Sequence, residues 1–120
     1  MKNILIIDDN KDITGLFKTI LESAGHKCTA VHDGKKGVEM LHTKSFDLTL
    51  LDLAMPGMSG TDVLDVVKKE PNLKSSKILI ITASSPTDAE MERIRNTYKI
   101  LDIVKKPINK AKLLQTMEQY

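Results

Sequence analysis

The chain has 120 residues, of which 41% are hydrophobic and 28% are charged, and this length is typical of one compact domain. Eighteen basic and sixteen acidic residues leave a formal charge of +2, so bulk charge indicates neither a nucleic acid nor a membrane as partner. The single cysteine, Cys28, excludes an internal disulfide framework, and no apolar run is long enough to span a bilayer. We expect one cytoplasmic domain over residues 1–120.

Short aliphatic runs alternate along the chain with longer segments of helical period. Strands are predicted at residues 4–7, 28–31, 48–51, 78–81 and 101–104. Three of these runs are apolar almost throughout, which is typical of strands covered on both faces of a parallel sheet. Five β–α units in strict alternation therefore predict an α/β fold with right-handed crossovers and helices on both faces of the sheet.

Each predicted helix follows one of these strands. The first carries an apolar stripe from Ile13 through Leu16 to Ala24, and Gly25 follows where a left-handed residue commonly ends a helix. The third ends before Pro71. The fourth is predicted to start at an N-cap Ser85, with Pro86 in its first turn. The fifth begins near Asn109, and its inward-facing residues are predicted to be Ala111, Leu114 and Met117.

Four of the five predicted strands end in polar or charged residues. Asp8-Asp9 ends the first, Asp52 the third, Thr82 the fourth and Lys106 the fifth. Taken singly, these could be a helix cap, a turn residue, an ordinary strand threonine and a solvated lysine. Ligands of doubly wound sheets bind at the carboxyl ends of the strands, so the combination at one edge predicts a site.

The chemistry of that combination points to phosphoryl transfer. Three carboxylates at one point repel one another unless a cation neutralises them, and an oxygen-only acidic cluster suits Mg²⁺. A hydroxyl and an ammonium on the next two strands can hold the oxygens of a phosphoryl group. Asp52 is the better nucleophile for an aspartyl phosphate, because it stands alone on its strand while Asp8 and Asp9 are adjacent.

These residues resemble the receiver domain of two-component response regulators, and the resemblance covers the whole chain. It is carried by the motifs Ile7-Asp8-Asp9, Asp52-Leu53-Ala54-Met55-Pro56 followed by Gly60, Ile80-Ile81-Thr82-Ala83, and Lys106-Pro107. Thr82 follows Asp52 by thirty residues, as the spacing of the family requires. The resemblance implies a three-layer, doubly wound (βα)5 flavodoxin-like fold with strand order 2-1-3-4-5.

The resemblance also implies a role for each residue of the site. Asp52 would be the phosphoacceptor, and Mg²⁺ would be held by Asp8, Asp9, Asp52 and the backbone carbonyl of Ala54. Thr82 would be the switch hydroxyl, and Lys106, joined to Pro107 by a cis peptide bond, would pair with the phosphoryl group. The donor would be the phosphohistidine of a sensor histidine kinase or of a histidine phosphotransfer protein. The domain would be a signalling switch that catalyses only its own phosphorylation and dephosphorylation.

The chain departs from the family pattern near its fifth strand. Ile103 stands where members usually carry an aromatic residue whose rotation reports phosphorylation. Tyr98, in the connection before that strand, is interpreted as a surface tyrosine or as a packed substitute for the missing ring. The route from the site to the output surface is therefore expected to differ from that of typical members.

Two alternatives use a similar fold. A haloacid-dehalogenase-like phosphatase requires an acid two residues after its nucleophile and a cap insertion, but Asn10 stands two residues after Asp8 and the chain has no room for a cap. A flavodoxin-like flavin carrier requires a Ser/Thr/Gly-rich phosphate loop after the first strand, where this chain has Asp8-Asp9-Asn10. The output partner is left open, as is the choice between a stand-alone regulator and the amino-terminal domain of a longer one.

Overall fold

The computed structural model describes residues 1–83 and 86–120. Within these ranges the strands form one parallel sheet in the order β2-β1-β3-β4-β5, as the resemblance implies. The strands are β1 (Asn3–Ile7), β2 (Lys27–Val31), β3 (Leu48–Leu51), β4 (Ile78–Thr82) and β5 (Asp102–Lys105). Every predicted strand is confirmed, with bounds that differ by no more than one residue at either end.

The helices begin at side chains that satisfy the free backbone N–H groups of their first turns. Asn10 accepts from the N–H groups of Asp12 and Ile13 at the start of the first helix. Asn109 begins the last helix in the same way, as predicted. The helices are α1 (Lys11–Ser23), α2 (Gly34–Thr43), α3 (Gly60–Lys69), α4 (Asp88–Thr97) and α5 (Lys110–Gln119).

The sheet is covered on both faces, which explains why its central strands are apolar at nearly every position. In β1, Ile4 and Ile6 pack with side chains of α1 and α5, whereas Leu5 and Ile7 pack with α2 and α3. Successive strand residues point to opposite faces, so a strand between two helical layers is favoured by apolar residues on both faces. The central strand β3 is buried along its whole length.

The start of α4 differs from the prediction. The helix begins at Asp88, and the Thr87 side chain caps it by accepting from the N–H of Glu90. Pro86 therefore precedes the helix and does not occupy its first turn. Ser85, the predicted cap, lies outside the described residues. Thr87 and Ser85 are chemically similar caps, so local preference alone could not choose between them.

The predicted apolar faces of two helices also differ from the structure. The predicted face of α1 is too broad, and that of α5 is rotated about the helix axis. Leu16 of α1 is 56% exposed and Ala24 is exposed, because α1 contacts the sheet mainly through Phe17 and Leu21. In α5 the residues that face the sheet are Leu113, Thr116 and Met117. The prediction was right for Met117 and wrong for Ala111, which is exposed, while Leu114 is half-buried.

Gly25 follows the C-cap residue Ala24 of α1 with φ of +95°, a backbone conformation that favours glycine, as predicted. No helix in the described part of the chain has both the length and the hydropathy that crossing a bilayer requires.

Candidate functional site

Asp8 and Asp52 lie side by side because their strands are paired in parallel. Ile7 is the register partner of Leu51, so the next residue of each strand emerges at the same edge of the sheet. The N–H of Asp52 donates to the carbonyl of Ile7 at 3.0 Å and holds this alignment. Asp8 is only 3% exposed and Asp52 6%. Two buried carboxylates are thus adjacent at the carboxyl edge, as predicted.

Asp9 completes an acidic cluster with these two residues. One carboxylate oxygen from each of Asp8, Asp9 and Asp52 lies within 4.8 Å of the others. Asp9 is exposed, so the cluster opens to solvent on its side and is closed on the side of Asp8 and Asp52. Carboxylate oxygens in such a partly open cluster are the ligands that Mg²⁺ takes, because this ion keeps several waters.

Lys106 brings a positive charge into the cluster from β5. Its N–H donates to the carbonyl of Thr82 at 2.9 Å, which continues the β4–β5 pairing beyond the strand. Its Nζ lies 2.5 Å from Oδ2 of Asp8 and 4.0 Å from Oδ2 of Asp52. The Lys106–Pro107 peptide bond is cis, as the resemblance implies. One buried ammonium therefore faces a cluster of three carboxylates.

Asp52 has less compensation for its charge than Asp8, whose Oδ2 lies closer to the Lys106 ammonium. Burial raises its pKa above the usual value, and the nearby charge of Asp8 raises it further. Lys106 acts in the opposite direction, as do hydrogen bonds from the Thr82 side chain and the Ala54 backbone. Oδ1 of Asp52 is buried without a hydrogen-bond partner among the described residues. A buried carboxylate oxygen in this position fits a cation or a reacting group better than a purely structural role.

Both carboxylate oxygens of Asp8 accept hydrogen bonds within the protein, which the sequence did not predict. The N–H of Asn10 donates to Oδ1 of Asp8 at 2.9 Å, while Lys106 holds Oδ2. The Asn10 side chain also caps α1. The available signal was the Asp8-Asp9-Asn10 run itself, because aspartate often accepts from the backbone two residues further on. Both oxygens of Asp8 are thus occupied, in contrast to Oδ1 of Asp52.

Gly60 sets how closely α3 approaches the loop that follows Asp52. Its N–H donates to the carbonyl of Leu53 at 2.9 Å. A Cβ at this position would lie 2.6 Å from Cα of Leu53 and would overlap the carbonyl oxygen of Asp52. These are backbone atoms that cannot turn aside, so only glycine allows this approach. The motif signalled Gly60, and the contact supplies the physical reason.

The edge of the sheet thus carries Asp8, Asp9, Asp52, Thr82 and Lys106 together, and Thr82 is fully buried at the end of β4. Ala54 lies in the loop directly beyond Asp52. A doubly wound α/β domain with an acidic cluster, a hydroxyl and an ammonium at the strand ends defines a class of phosphoacceptor domains. Each predicted site residue is at the predicted edge.

Comparison with known proteins confirms this class and specifies the family. The family model for the response regulator receiver domain matches residues 4–118, and the chain belongs to this family. It is 37% identical over 90 residues to the chemotaxis protein CheY of Pseudomonas aeruginosa, a match that covers 74% of this chain and 73% of that protein. It is 30% identical to the transcriptional regulatory protein CpxR of Escherichia coli over 95% of this chain, which spans about half (47%) of that regulator.

A solved structure supports the same assignment. The response regulator TrrA of Thermotoga maritima, crystallised in complex with Mg²⁺ and BeF, superposes with a TM-score of 0.83 at 28% identity, covering 99% of this chain and 98% of that chain. The chain is accordingly a phosphoacceptor signalling module of two-component systems, a switch and not a turnover enzyme. The family match decides against the phosphatase and the flavin carrier.

Proposed function

We propose that Asp52 accepts a phosphoryl group from the phosphohistidine of a sensor histidine kinase or of a histidine phosphotransfer protein. The observation that carries this proposal is the state of Asp52: a buried carboxylate whose Oδ1 has no partner among the described residues, beside the ammonium of Lys106. Histidine kinases are the partners of receiver domains as a class.

In this reaction an oxygen of Asp52 attacks phosphorus and forms a P–O bond. The P–N bond to the donor histidine breaks, and its electron pair stays on the histidine nitrogen. The Asp52 carboxylate is ionised when it attacks, so no general base is needed. The Lys106 ammonium can then neutralise a phosphoryl oxygen, and the Thr82 hydroxyl can donate to another.

The acidic cluster fits Mg²⁺ as the resident ion. Three carboxylates within 4.8 Å of one another exceed the charge that Lys106 can balance. Asp8, Asp9, Asp52 and the carbonyl of Ala54 would hold the ion, whose chemistry is to neutralise the charge that develops on the phosphoryl oxygens. The presence of Mg²⁺ in the TrrA complex supports this proposal.

The experiment is phosphorylation by acetyl phosphate, followed by intact-protein mass spectrometry. We expect one phosphoryl group on the wild-type chain with Mg²⁺ and none after chelation or in Asp52→Asn. The matched control is Asp47→Asn, because Asp47 is an exposed aspartate before β3, at the opposite end of the strand that Asp52 follows. Undiminished phosphorylation of Asp52→Asn would show that Asp52 is not the acceptor.

We also propose that residues 1–120 form one receiver unit and act in the cytoplasm. The family match over residues 4–118 supports the first statement. The second rests on the donor, because histidine kinases take their phosphoryl group from cytoplasmic ATP. The output is either a separate partner protein or a fused domain. We propose that phosphorylation acts on it through the Thr82 hydroxyl.

A further inference from the structure

A cavity lies at the opposite edge of the sheet from the acidic cluster. Its volume is about 530 Å³, and it lies between the last turn of α3, residues 74–78 and residues 95–99. Ile78, the first residue of β4, forms part of it, whereas Thr82 ends the same strand at the phosphoacceptor site. At about 3.3 Å per residue the two sites are roughly 13 Å apart along β4.

The floor of this cavity is apolar, and one wall is aromatic. Leu64, Val67 and Ile78 form the floor, and all three are buried. Tyr98 forms a wall, and its hydroxyl donates to the carboxylate of Asp65, which holds the ring in place. Burial, together with Asp65, raises the pKa of Tyr98 to about 12, so the ring stays neutral. This lining suits a flat apolar group.

The rim of the cavity is positively charged. Its charged lining residues within the described part of the chain are all cationic and exposed: Lys68, Lys74, Arg95 and Lys99. Lys68 is already directed inward, with Nζ 5.9 Å from the centroid of the Tyr98 ring. Arg95 pairs with Asp102 at 3.3 Å, but both side chains are about half exposed, at 48% and 45%. Exposed pairs of this kind are weak, so Arg95 can change partners.

We propose that this cavity binds a small organic anion with a flat aromatic body, of about the size of a mononucleotide. The apolar floor and the Tyr98 ring would cover the aromatic body, and the cations of the rim would pair with the anionic group. The volume lies within the range of about 300–1,000 Å³ that small-molecule sites occupy. Lysines on an ordinary solvated surface do not need a buried apolar floor beneath them. The lysines of this rim lie over such a floor.

The test uses a pair of probes that differ only by the anionic phosphate group, adenosine monophosphate and adenosine. They are titrated into the ¹⁵N-labelled chain without Mg²⁺ and followed by amide chemical shifts. We expect saturable shifts for the monophosphate at millimolar concentration, centred on Val67, Ile78 and Tyr98. Adenosine should bind at least tenfold more weakly, because it lacks the anionic group.

Two double variants assign the binding to the rim. Lys68→Gln/Lys74→Gln should weaken binding of the monophosphate at least tenfold. Lys110→Gln/Lys112→Gln removes the same charge from exposed positions of α5, on the other face of the sheet, and should leave the affinity unchanged. All four lysines are exposed, so both variants should fold, and their amide spectra verify this.

Several outcomes would overturn the proposal. These are no saturable binding of the monophosphate, equal binding of adenosine, equal loss in both double variants, or shifts centred on Asp8 and Asp52. A hexaglutamate peptide that binds at the same amides while the monophosphate does not would show that the rim serves an acidic protein partner instead. Labelling of Asp52 by acetyl phosphate is measured in parallel, so failure of this cavity site is distinguishable from failure of the phosphoacceptor site.

Discussion

Lys106 and Asp8 form a buried ion pair between residues 98 positions apart in the chain, with Nζ 2.5 Å from Oδ2. The same ammonium lies 4.0 Å from Oδ2 of Asp52. The one buried cation of this site, among the residues described, is therefore committed mainly to Asp8. Asp52 therefore has a raised pKa, and its Oδ1 is buried without a hydrogen-bond partner among the described residues.

Replacing Lys106 should destabilise the fold strongly. Lys106→Gln leaves the buried carboxylates of Asp8 and Asp52 without a counter-charge, and removal of one partner from a buried pair costs about 3–5 kcal/mol. Lys105→Gln is the matched control, because Lys105 is the neighbouring lysine and is exposed, so its change should stay within about 0.5 kcal/mol. Urea unfolding without Mg²⁺ measures both. Equal effects of the two substitutions would show that the buried pair contributes nothing to stability.

Asp52→Asn should stabilise the metal-free protein. The amide removes a buried charge that repels Asp8, and we expect a gain of roughly 1–3 kcal/mol near neutral pH. The raised folded-state pKa means that the stability present when Asp52 is protonated is lost as the pH rises through that pKa. The advantage of the variant should therefore grow with rising pH in chemical unfolding experiments. A variant less stable than wild type at neutral pH would contradict this account, and Asp47→Asn shows the effect of an exposed aspartate.

Gly60→Ala should destabilise the fold and displace the loop after Asp52. The new methyl group would overlap backbone atoms of Asp52 and Leu53, and overpacking of this kind costs about 1–3 kcal/mol. Gly15→Ala in α1 is the control, because a Cβ there meets no atom of the described chain within 4 Å. That substitution should stabilise the protein by about 0.5–1 kcal/mol, since alanine favours a helix interior. Denaturant midpoints that move in the same direction would disprove the steric argument.

Tyr98 should titrate well above an ordinary tyrosine. Its pKa is raised to about 12, first by burial and then by Asp65, so stability linked to the protonated hydroxyl is lost as the pH rises from about 10 through 12. Ultraviolet titration in a Tyr120→Phe background isolates this group. Asp65→Asn should lower the midpoint but keep it above 10, because burial remains. An unchanged midpoint would mean that the Tyr98–Asp65 hydrogen bond does not form in solution.

Phosphorylation should rearrange β5 only slightly. Ile103 is buried in the same apolar cluster as Ile80 and Ile94, and its β-branched side chain has few rotamers to exchange. A side chain that differs little between two states can shift their populations only slightly. With beryllium fluoride as phosphoryl mimic, amide shifts at residues 102–104 and in α4 should be smaller than those around Asp52. Shifts as large as those around Asp52 would contradict the prediction.

Local patterns in the sequence determined the architecture and the members of the site. Alternating apolar runs and helical stripes are short-range features, and parallel strands necessarily end at a common edge. Asp8, Asp52, Thr82 and Lys106 could therefore be placed together before any coordinate was known. Motif spacing added the family, and with it the strand order.

The tertiary structure decided the relationships that depend on packing between distant segments. Which carboxylate Lys106 contacts depends on how its side chain, which follows β5, reaches across the end of β4 to the ends of β3 and β1, and no local pattern encodes that choice. Helix phase decided between Leu113 and Ala111, because only one rotation of α5 fits the sheet. The surroundings of Tyr98 belong to the same category, since α3, α4 and the start of β4 meet there only in the folded chain. The distance between two residues that are far apart in the chain depends on the packing of the whole fold. A local sequence pattern does not determine such a distance.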